Sequence, residues 1–173
     1  MRCFLSVEVP EEIKSEIIKV GKEFNFIGKH VERENLHLTL KFFGDIKEKN
    51  LGELREKLRK IKFNGFLARM EGIGIFPSEM MMRVLWAGVE PRDKMKELYE
   101  VIERSLGNKP ERFESHITIA RIKSIKDKKK FLEKMKSINF CSSEFEVKGF
   151  VLKKSTLTPI GPIYEDIERF GLN

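Results

Sequence analysis

The sequence predicts an α+β fold of two pseudo-symmetric lobes, whose antiparallel sheets face each other across a central cleft. A pattern of strand, helix, strand, helix and strand occurs twice along the chain, and a His-x-Thr segment occurs at corresponding places in the two copies. No linker rich in proline, glycine and serine separates the copies. We therefore predict one domain over residues 1–173, with pseudo-repeats over about 1–77 and 80–153 and a C-terminal strand over 162–172.

The first half begins with a β-branched and aromatic segment that ends at Pro10 and is predicted to be a strand. Pro10 opens a helix, because proline is tolerated in the first turn and the acidic residues after it suit the positive end of the helix dipole. The helix is predicted to end at Gly28. A strand over 35–44 follows, and Asp45 with Glu48 resembles a capping box that starts the second helix.

The rest of the chain is predicted to form a central hairpin and then to repeat the order of the first half. Strands over 66–76 and 80–89 form the hairpin. Pro91 then opens a helix, the strand that contains His116 follows, and residues 124–127 cap another helix. The remaining predictions are a strand over 144–152, a Pro/Gly loop over 155–162 and an edge strand over 164–170.

Length and composition indicate a soluble globular protein. The 173 residues are 40% hydrophobic and 35% charged, which is enough to bury a core without cross-links. No apolar run approaches membrane-spanning length, and the acidic N-terminal region lacks the layout of a signal peptide. Cys3 and Cys141 have no metal-ligand spacing and fit a reducing compartment. We therefore expect a cytoplasmic location.

The chain is basic, with a formal net charge of +7. This charge favours a polyanionic partner, although excess lysine is also a common solubility device. Lysine and glutamate are abundant and glutamine is absent, a bias seen in proteins from hot environments.

The doubled His-x-Thr segment is the main candidate for a functional site. Because strand side chains alternate, His37 and Thr39 share one face of their strand, and His116 and Thr118, 79 residues further along, share one face of theirs. A single such pattern is weak evidence, but two of the three histidines carry it, each within an apolar strand where imidazole is an unusual filler. His30 lacks the pattern and is expected at the surface or in a loop.

Two histidines on neighbouring strands suit phosphodiester cleavage without a metal. Imidazole has an ordinary pKa near ~6.5, so one ring can accept a proton while the other donates one. The hydroxyls of Thr39 and Thr118 can donate to the phosphate oxygens as charge develops there. Two histidines alone leave a zinc or manganese site short of ligands, so we expect no metal or cofactor. Ser115 points away from His116 on the same strand and is rejected as a nucleophile.

Three segments together resemble a known family. They are His37-Leu-Thr-Leu-Lys-Phe-Phe-Gly, Val84-Leu-Trp-Ala-Gly-Val and Phe113-Glu-Ser-His-Ile-Thr-Ile-Ala-Arg. They resemble the 2H phosphoesterase superfamily, and within it the RNA 2′,3′-cyclic phosphodiesterases, also called 2′-5′ RNA ligases. The resemblance covers essentially the whole chain. It implies the bilobal 2H-phosphoesterase-like fold and hydrolysis of a terminal 2′,3′-cyclic phosphate to a 2′-phosphate.

The resemblance also implies a role for each site residue. His37 corresponds to the general acid that protonates the 3′ oxygen, and His116 to the base that activates water. The two threonines correspond to residues that hold the phosphate. By the same resemblance Arg121 clamps phosphate oxygens and Phe42 stacks on the terminal base.

Arg121 and Phe42 each follow a histidine by five residues. In a regular strand this offset places a side chain on the face opposite the histidine, so both reach the groove only if a bulge or the strand end redirects them. For Phe42, core packing is an equally good alternative.

Several alternatives remain open from the sequence. The same groups would serve 2′-5′ ligation of tRNA halves, and a module that binds RNA ends without turnover would carry the same charge. Residues 121–136 contain eight basic and two acidic residues, which fits either an RNA track or a solvated helix face. The expected partners are RNA ends with 2′,3′-cyclic phosphates, tRNA halves among them, or cyclic nucleotides. We expect a monomer that binds no membrane.

Overall fold

The structure, a computed structural model, describes residues 1–173 as nine strands, four α-helices and one turn of 3-10 helix at Arg33–Asn35. The strands are β1 (Arg2–Glu8), β2 (Ile27–His30), β3 (His37–Asp45), β4 (Phe66–Ser78), β5 (Met81–Glu90), β6 (His116–Ser124), β7 (Phe145–Val147), β8 (Gly149–Thr158) and β9 (Gly161–Gly171). The helices are α1 (Glu11–Gly21), α2 (Glu48–Arg59), α3 (Arg92–Ser105) and α4 (Lys128–Ser137). The predicted α+β class is confirmed.

All strand pairs are antiparallel and belong to one sheet, in the order β7-β4-β5-β6-β3-β1-β8-β9, with β2 paired to β6. Only one residue pair, Leu38 with Ile117, joins β3 to β6. This pair divides the sheet into a first half-sheet (β3, β1, β8 and β9) and a second half-sheet (β6, β5, β4, β7 and β2). The two predicted sheets are therefore halves of one sheet that meets at the two histidine strands.

The half-sheets draw on both predicted pseudo-repeats. β4 belongs to the first pseudo-repeat but pairs with β5 in the second half-sheet. β8 belongs to the second pseudo-repeat but pairs with β1 in the first half-sheet. The division of the chain into pseudo-repeats stays a prediction, and in space their strands are interleaved.

The helices cover the sheet with the apolar stripes that the sequence indicated. α1 buries Ile13, Ile17 and Val20 and contacts β6, whereas α3 buries a second stripe and contacts β5. Removing this apolar area from water is the main favourable contribution to such packing. α2 contacts α3 and β9. None of the four helices has the length and apolarity needed to cross a bilayer.

Two helix starts differ in their caps. Asp127 accepts a hydrogen bond from the backbone N–H of Lys130 at 3.0 Å, as the prediction for α4 requires. The capping box predicted at Asp45 and Glu48 is wrong, because Asp45 stays in β3 opposite Arg2 and the residue before α2 makes no side-chain cap. Pairing with β1 extends the strand past the point where a helix cap was expected.

Three local predictions near strand ends are also wrong. The first helix ends at Gly21 rather than at Gly28, which lies in the short strand β2. His30 lies in the same strand and is exposed, in agreement with its predicted place at the surface. Residues 155–162 are mostly strand, since β8 runs to Thr158 and β9 begins at Gly161 after a tight turn. The φ of Gly161 is +132°, which favours glycine. The predicted strand over 144–152 is split into β7 and β8.

Candidate active site

All six predicted site residues line one cleft of about 700 Å³ between the half-sheets. They are His37, Thr39, Phe42, His116, Thr118 and Arg121. Each half-sheet contributes three of them, from β3 and from β6. The two imidazoles therefore face a shared space rather than separate interiors.

The residue pair between β3 and β6 explains why this cleft contains both His-x-Thr segments. Leu38 and Ile117 are buried, at 1% and 0% exposure, so the residues on either side of each point to the opposite face, into the cleft. Because the strands are antiparallel, the histidine of each strand lies toward the threonine of the other. The result is a pseudo-twofold quartet. It consists of His37, Thr39, His116 and Thr118.

A bulge directly after each threonine directs the next functional side chain into the cleft. On β3, Thr39 pairs with Ser6 and Lys41 with Leu5, which leaves Leu40 without a partner. The extra residue reverses the alternation, so Phe42 lies on the cleft face.

The second bulge lies at the matching position of β6. Thr118 pairs with Trp86 and Ala120 with Leu85, which leaves Ile119 unpaired, and Arg121 then reaches the cleft. The objection that an offset of five places these side chains on the wrong face is thereby resolved.

His37 is held as a neutral imidazole in the free protein. Its Nδ1–H donates to the backbone oxygen of Asn35 at 2.6 Å, and its Nε2 accepts from the Thr39 hydroxyl at 2.8 Å. The rings of Phe4 and Tyr164 lie beside it, with centroids 5.0 and 5.4 Å away. Burial lowers the pKa of His37 to about 4. At neutral pH the free protein therefore carries no proton on Nε2.

His116 has the same support on Nδ1 but a free Nε2. Its Nδ1–H donates to the backbone oxygen of Glu114 at 2.8 Å, and no protein group hydrogen bonds to Nε2. Burial lowers the pKa of His116 below its ordinary value, and the positive charge of Arg121 acts in the same direction. A neutral imidazole with an open Nε2 is suited to accept a proton from water.

Arg121 and Phe42 occupy matching positions with different chemistry. The Arg121 guanidinium makes no ion pair with the protein, so its donors are available for phosphate oxygens, which accept bidentate hydrogen bonds from arginine. Phe42 is 71% exposed, with its ring centroid 6.0 Å from that of Phe4. The ring lies at the cleft wall rather than in the core and is open to stacking.

Several residues of the cleft were missed by the sequence reasoning. Tyr164 comes from β9, where no spacing signal links it to the histidines. Lys29 and His30 line the cleft from β2, a strand of four exposed residues that has no apolar periodicity. Lys41 lies inside the first motif and forms an ion pair at 2.8 Å with the buried Glu103 of α3. Only Lys41 could have been found from the motif itself.

The structure contains no cluster of three or more His, Cys, Asp or Glu side chains arranged to hold a metal ion. The functional groups that converge in the cleft are imidazoles, hydroxyls and a guanidinium. Together they can move protons and bind an anion.

Comparison with known protein families gives a match over most of the chain. The family described as LigT-like phosphoesterase matches residues 7–86 and 88–164. An RNA 2′,3′-cyclic phosphodiesterase of Methanocaldococcus jannaschii is 41% identical, covering 98% of this chain and 100% of the relative. One of Thermotoga maritima is 39% identical, covering 95% and 92%.

Solved structures share the fold. TT0787 of Thermus thermophilus has a TM-score of 0.82 at 28% identity, covering 99% of this chain and 97% of that one. E. coli LigT complexed with 3′-AMP has a TM-score of 0.80 at 23% identity, covering 99% and 98%. The LigT comparison supports the fold alone.

Proposed function

Because the chain belongs to the LigT-like phosphoesterase family, we propose that it is an RNA 2′,3′-cyclic phosphodiesterase that opens the terminal cyclic phosphate to a 2′-phosphate. The observation that carries this proposal is the quartet of two histidines and two threonines around one cleft. In-line attack of water on a phosphorus atom requires a base on one side of the phosphorus and an acid on the other. The two imidazoles, each held by a hydrogen bond from Nδ1 to a backbone oxygen, can fill these places.

The reaction consumes one water and needs two proton transfers. Nε2 of His116 accepts a proton from the water whose oxygen forms the new bond to phosphorus. The bond between phosphorus and O3′ breaks, and O3′ takes a proton from Nε2 of His37. The product is a 2′-phosphate with a free 3′-hydroxyl. The assignment of His37 as acid and His116 as base follows the family, and the open Nε2 of His116 supports it.

His37 must gain a proton before it can act as the acid. The negative charge of the bound cyclic phosphate favours imidazolium and raises the pKa of His37 from its low value in the free protein. The same phosphate offers a new acceptor to the Thr39 hydroxyl, which in the free protein donates to Nε2. Substrate binding thus removes the Thr39 hydroxyl from Nε2 of His37 and favours protonation of that nitrogen.

The other predicted residues stabilise charge and orient the substrate. Thr118 and Thr39 donate to non-bridging oxygens, where negative charge accumulates in the transition state. Arg121 binds the phosphate as a second cationic donor, and Phe42 stacks on the terminal base, a contact worth roughly 1–3 kcal/mol. We take the substrate to be RNA ends, tRNA halves among them, or cyclic nucleotides, turned over by a cytoplasmic monomer without a metal.

The test is product analysis by phosphorus NMR on a dinucleotide that ends in a 2′,3′-cyclic phosphate, with EDTA present. We expect a 2′-phosphate product, and its loss in His37→Ala and His116→Ala. Activity that disappears with chelator and returns with a metal ion contradicts the two-histidine mechanism. A protein that binds the dinucleotide equally well in wild type and both variants, and never turns it over, is an RNA-end binder instead.

Ligation uses the same groups and breaks the same P–O3′ bond, with a different nucleophile. A 5′-hydroxyl oxygen then replaces water as the nucleophile, and the product is a 2′-5′ bond. Incubation with paired tRNA halves, followed by comparison of joined and hydrolysed ends, separates the two activities.

A further inference from the structure

Each histidine of the quartet is flanked by a pair of aromatic rings. Beside His37, Tyr164 presents its ring edge-on, at an interplanar angle of 90° and a centroid distance of 5.4 Å. Phe4 lies 5.0 Å from the same imidazole and 4.8 Å from Tyr164. The pair therefore fixes the ring of Tyr164 against the imidazole.

The pair beside His116 has nearly the same arrangement. Phe76 presents its ring edge-on at 89° and 5.0 Å, and Trp86 lies 6.1 Å from the imidazole and 4.9 Å from Phe76. Phe76 and Tyr164 both line the cleft. They are equivalent by position, but only Tyr164 has a hydroxyl.

The Tyr164 hydroxyl is available to a ligand. It makes no hydrogen bond within the protein, and the residue is half-buried in the cleft wall. Burial raises the pKa of Tyr164 above its ordinary value, so the phenol keeps its proton at neutral pH and acts as a donor. Of the aromatic rings beside the two imidazoles, one thus carries a hydroxyl donor, on the side of His37, that the pseudo-twofold symmetry does not match.

This asymmetry bears on a choice that the quartet cannot make alone. A 2′,3′-cyclic phosphate contains two ester oxygens in the five-membered ring, O2′ and O3′. An acid protonates whichever oxygen lies beside it, and a pseudo-symmetric set of two imidazoles and two hydroxyls accepts the ribose in either orientation. A group outside the quartet must therefore select the oxygen that leaves.

We propose that Tyr164 makes this selection: its hydroxyl donates to an oxygen on the 3′ side of the ribose and so holds O3′ beside His37. The inference rests on the proposed function. In the selected orientation water bonds to phosphorus, its proton passes to His116, the P–O3′ bond breaks and O3′ takes the proton of His37. With the ribose reversed, the P–O2′ bond breaks, O2′ takes that proton and the product is a 3′-phosphate. Tyr164 is a specificity residue and takes no part in the proton transfers.

The experiment measures the ratio of 2′-phosphate to 3′-phosphate formed from a dinucleotide 2′,3′-cyclic phosphate, by phosphorus NMR and by chromatography for minor products. In Tyr164→Phe the ratio should fall about tenfold, the effect of one lost hydrogen bond. Phe76→Tyr adds a hydroxyl beside His116 and should lower the ratio independently. The exchanged double variant should lower it furthest.

Tyr99→Phe is the matched control. Tyr99 also lines the cleft, but its hydroxyl accepts a hydrogen bond from the backbone N–H of Glu111, and it does not contact either imidazole. The product ratio should stay unchanged in this variant.

A rate loss in Tyr164→Phe at an unchanged ratio overturns the inference, because it assigns the hydroxyl a merely structural role. An unchanged ratio in Phe76→Tyr overturns it as well. If the wild-type protein does not open the cyclic phosphate, the proposed function is refuted and the inference with it. Turnover with ratios that do not respond to either variant overturns the inference alone.

Discussion

The two histidine strands, β3 and β6, share a backbone plan and differ in what surrounds Nε2. Each holds Nδ1 of its histidine on the backbone oxygen two residues earlier, and each has a bulge after its threonine. Only His37 has its Nε2 occupied by the neighbouring hydroxyl. The sheet therefore repeats the backbone geometry of the site, and the side chains make the two rings different. The Thr39 hydroxyl occupies Nε2 of His37, whereas Nε2 of His116 is open to accept a proton.

Removal of either imidazole tests whether the two strands contribute equally to catalysis. It has the largest expected effect. Each role in general acid–base catalysis is typically worth about 10²–10⁴ in rate, so His37→Ala and His116→Ala should each lower kcat by at least that factor. Because the two rings act in one step, the double variant should be little worse than either single one. Single-turnover kinetics with cyclic-phosphate RNA measures this, and additive losses would contradict a shared step.

The pH dependence of stability tests the difference in burial between His37 and His116. The pKa of His37 is about 4 in the folded protein and near ~6.5 in the unfolded chain, so between these values only the unfolded chain binds the proton. The contribution of His37 to the free energy of unfolding should therefore be complete above the unfolded pKa. It should fall as the pH drops toward 4, by up to about 3 kcal/mol. Urea titrations from pH 7 to pH 4 measure the slope.

His37→Gln is the control for this slope, since it removes the titrating group. The variant should be much less sensitive to pH in the same window, although His116, whose pKa is also lowered, retains part of the slope. An equally steep loss in His37→Gln would contradict the assignment.

The residues at the two bulges should separate binding from chemistry. Phe42→Ala should raise KM by about tenfold or more with little change in kcat, because base stacking is worth roughly 1–3 kcal/mol. Arg121→Lys keeps the charge but loses the bidentate geometry, so it should lower kcat as well as affinity. Steady-state kinetics on an oligonucleotide decides this, and a pure KM effect in Arg121→Lys would argue against contact with the reacting phosphate.

The threonines provide the smallest and most specific test. Thr39→Val removes the donor that stabilises the neutral form of His37, so the pKa of His37 should rise by up to about one unit, the worth of one hydrogen bond. Thr118→Val should leave the pKa of His116 unchanged, because no hydroxyl bonds to that ring. NMR titration of the imidazoles measures both values, and equal shifts would show that the two strands do not differ in this respect.

The sequence could predict the faces of the two strands but not their irregularities. Alternation alone places His37 with Thr39, because neighbouring side chains on a strand point to opposite faces. The bulge that brings Arg121 into the cleft depends on pairing with β5, which no local pattern reports.

Residues 155–162 are a second place where the structure depends on strand pairing that the local sequence does not indicate. Their glycine and prolines indicate a loop, but hydrogen bonding between β8 and β9 makes most of them strand. Tyr164 reaches His37 across more than a hundred residues of chain for the same reason.

The strands β3 and β6 are joined by a single residue pair, but other contacts also tie the half-sheets together. Lys41 of β3 forms an ion pair at 2.8 Å with Glu103 of α3, and Lys29 of β2 donates to the backbone oxygen of Ile160, in the turn between β8 and β9, at 2.5 Å. The cleft is therefore braced from both sides, and the spacing of the two imidazoles depends on more than strand pairing.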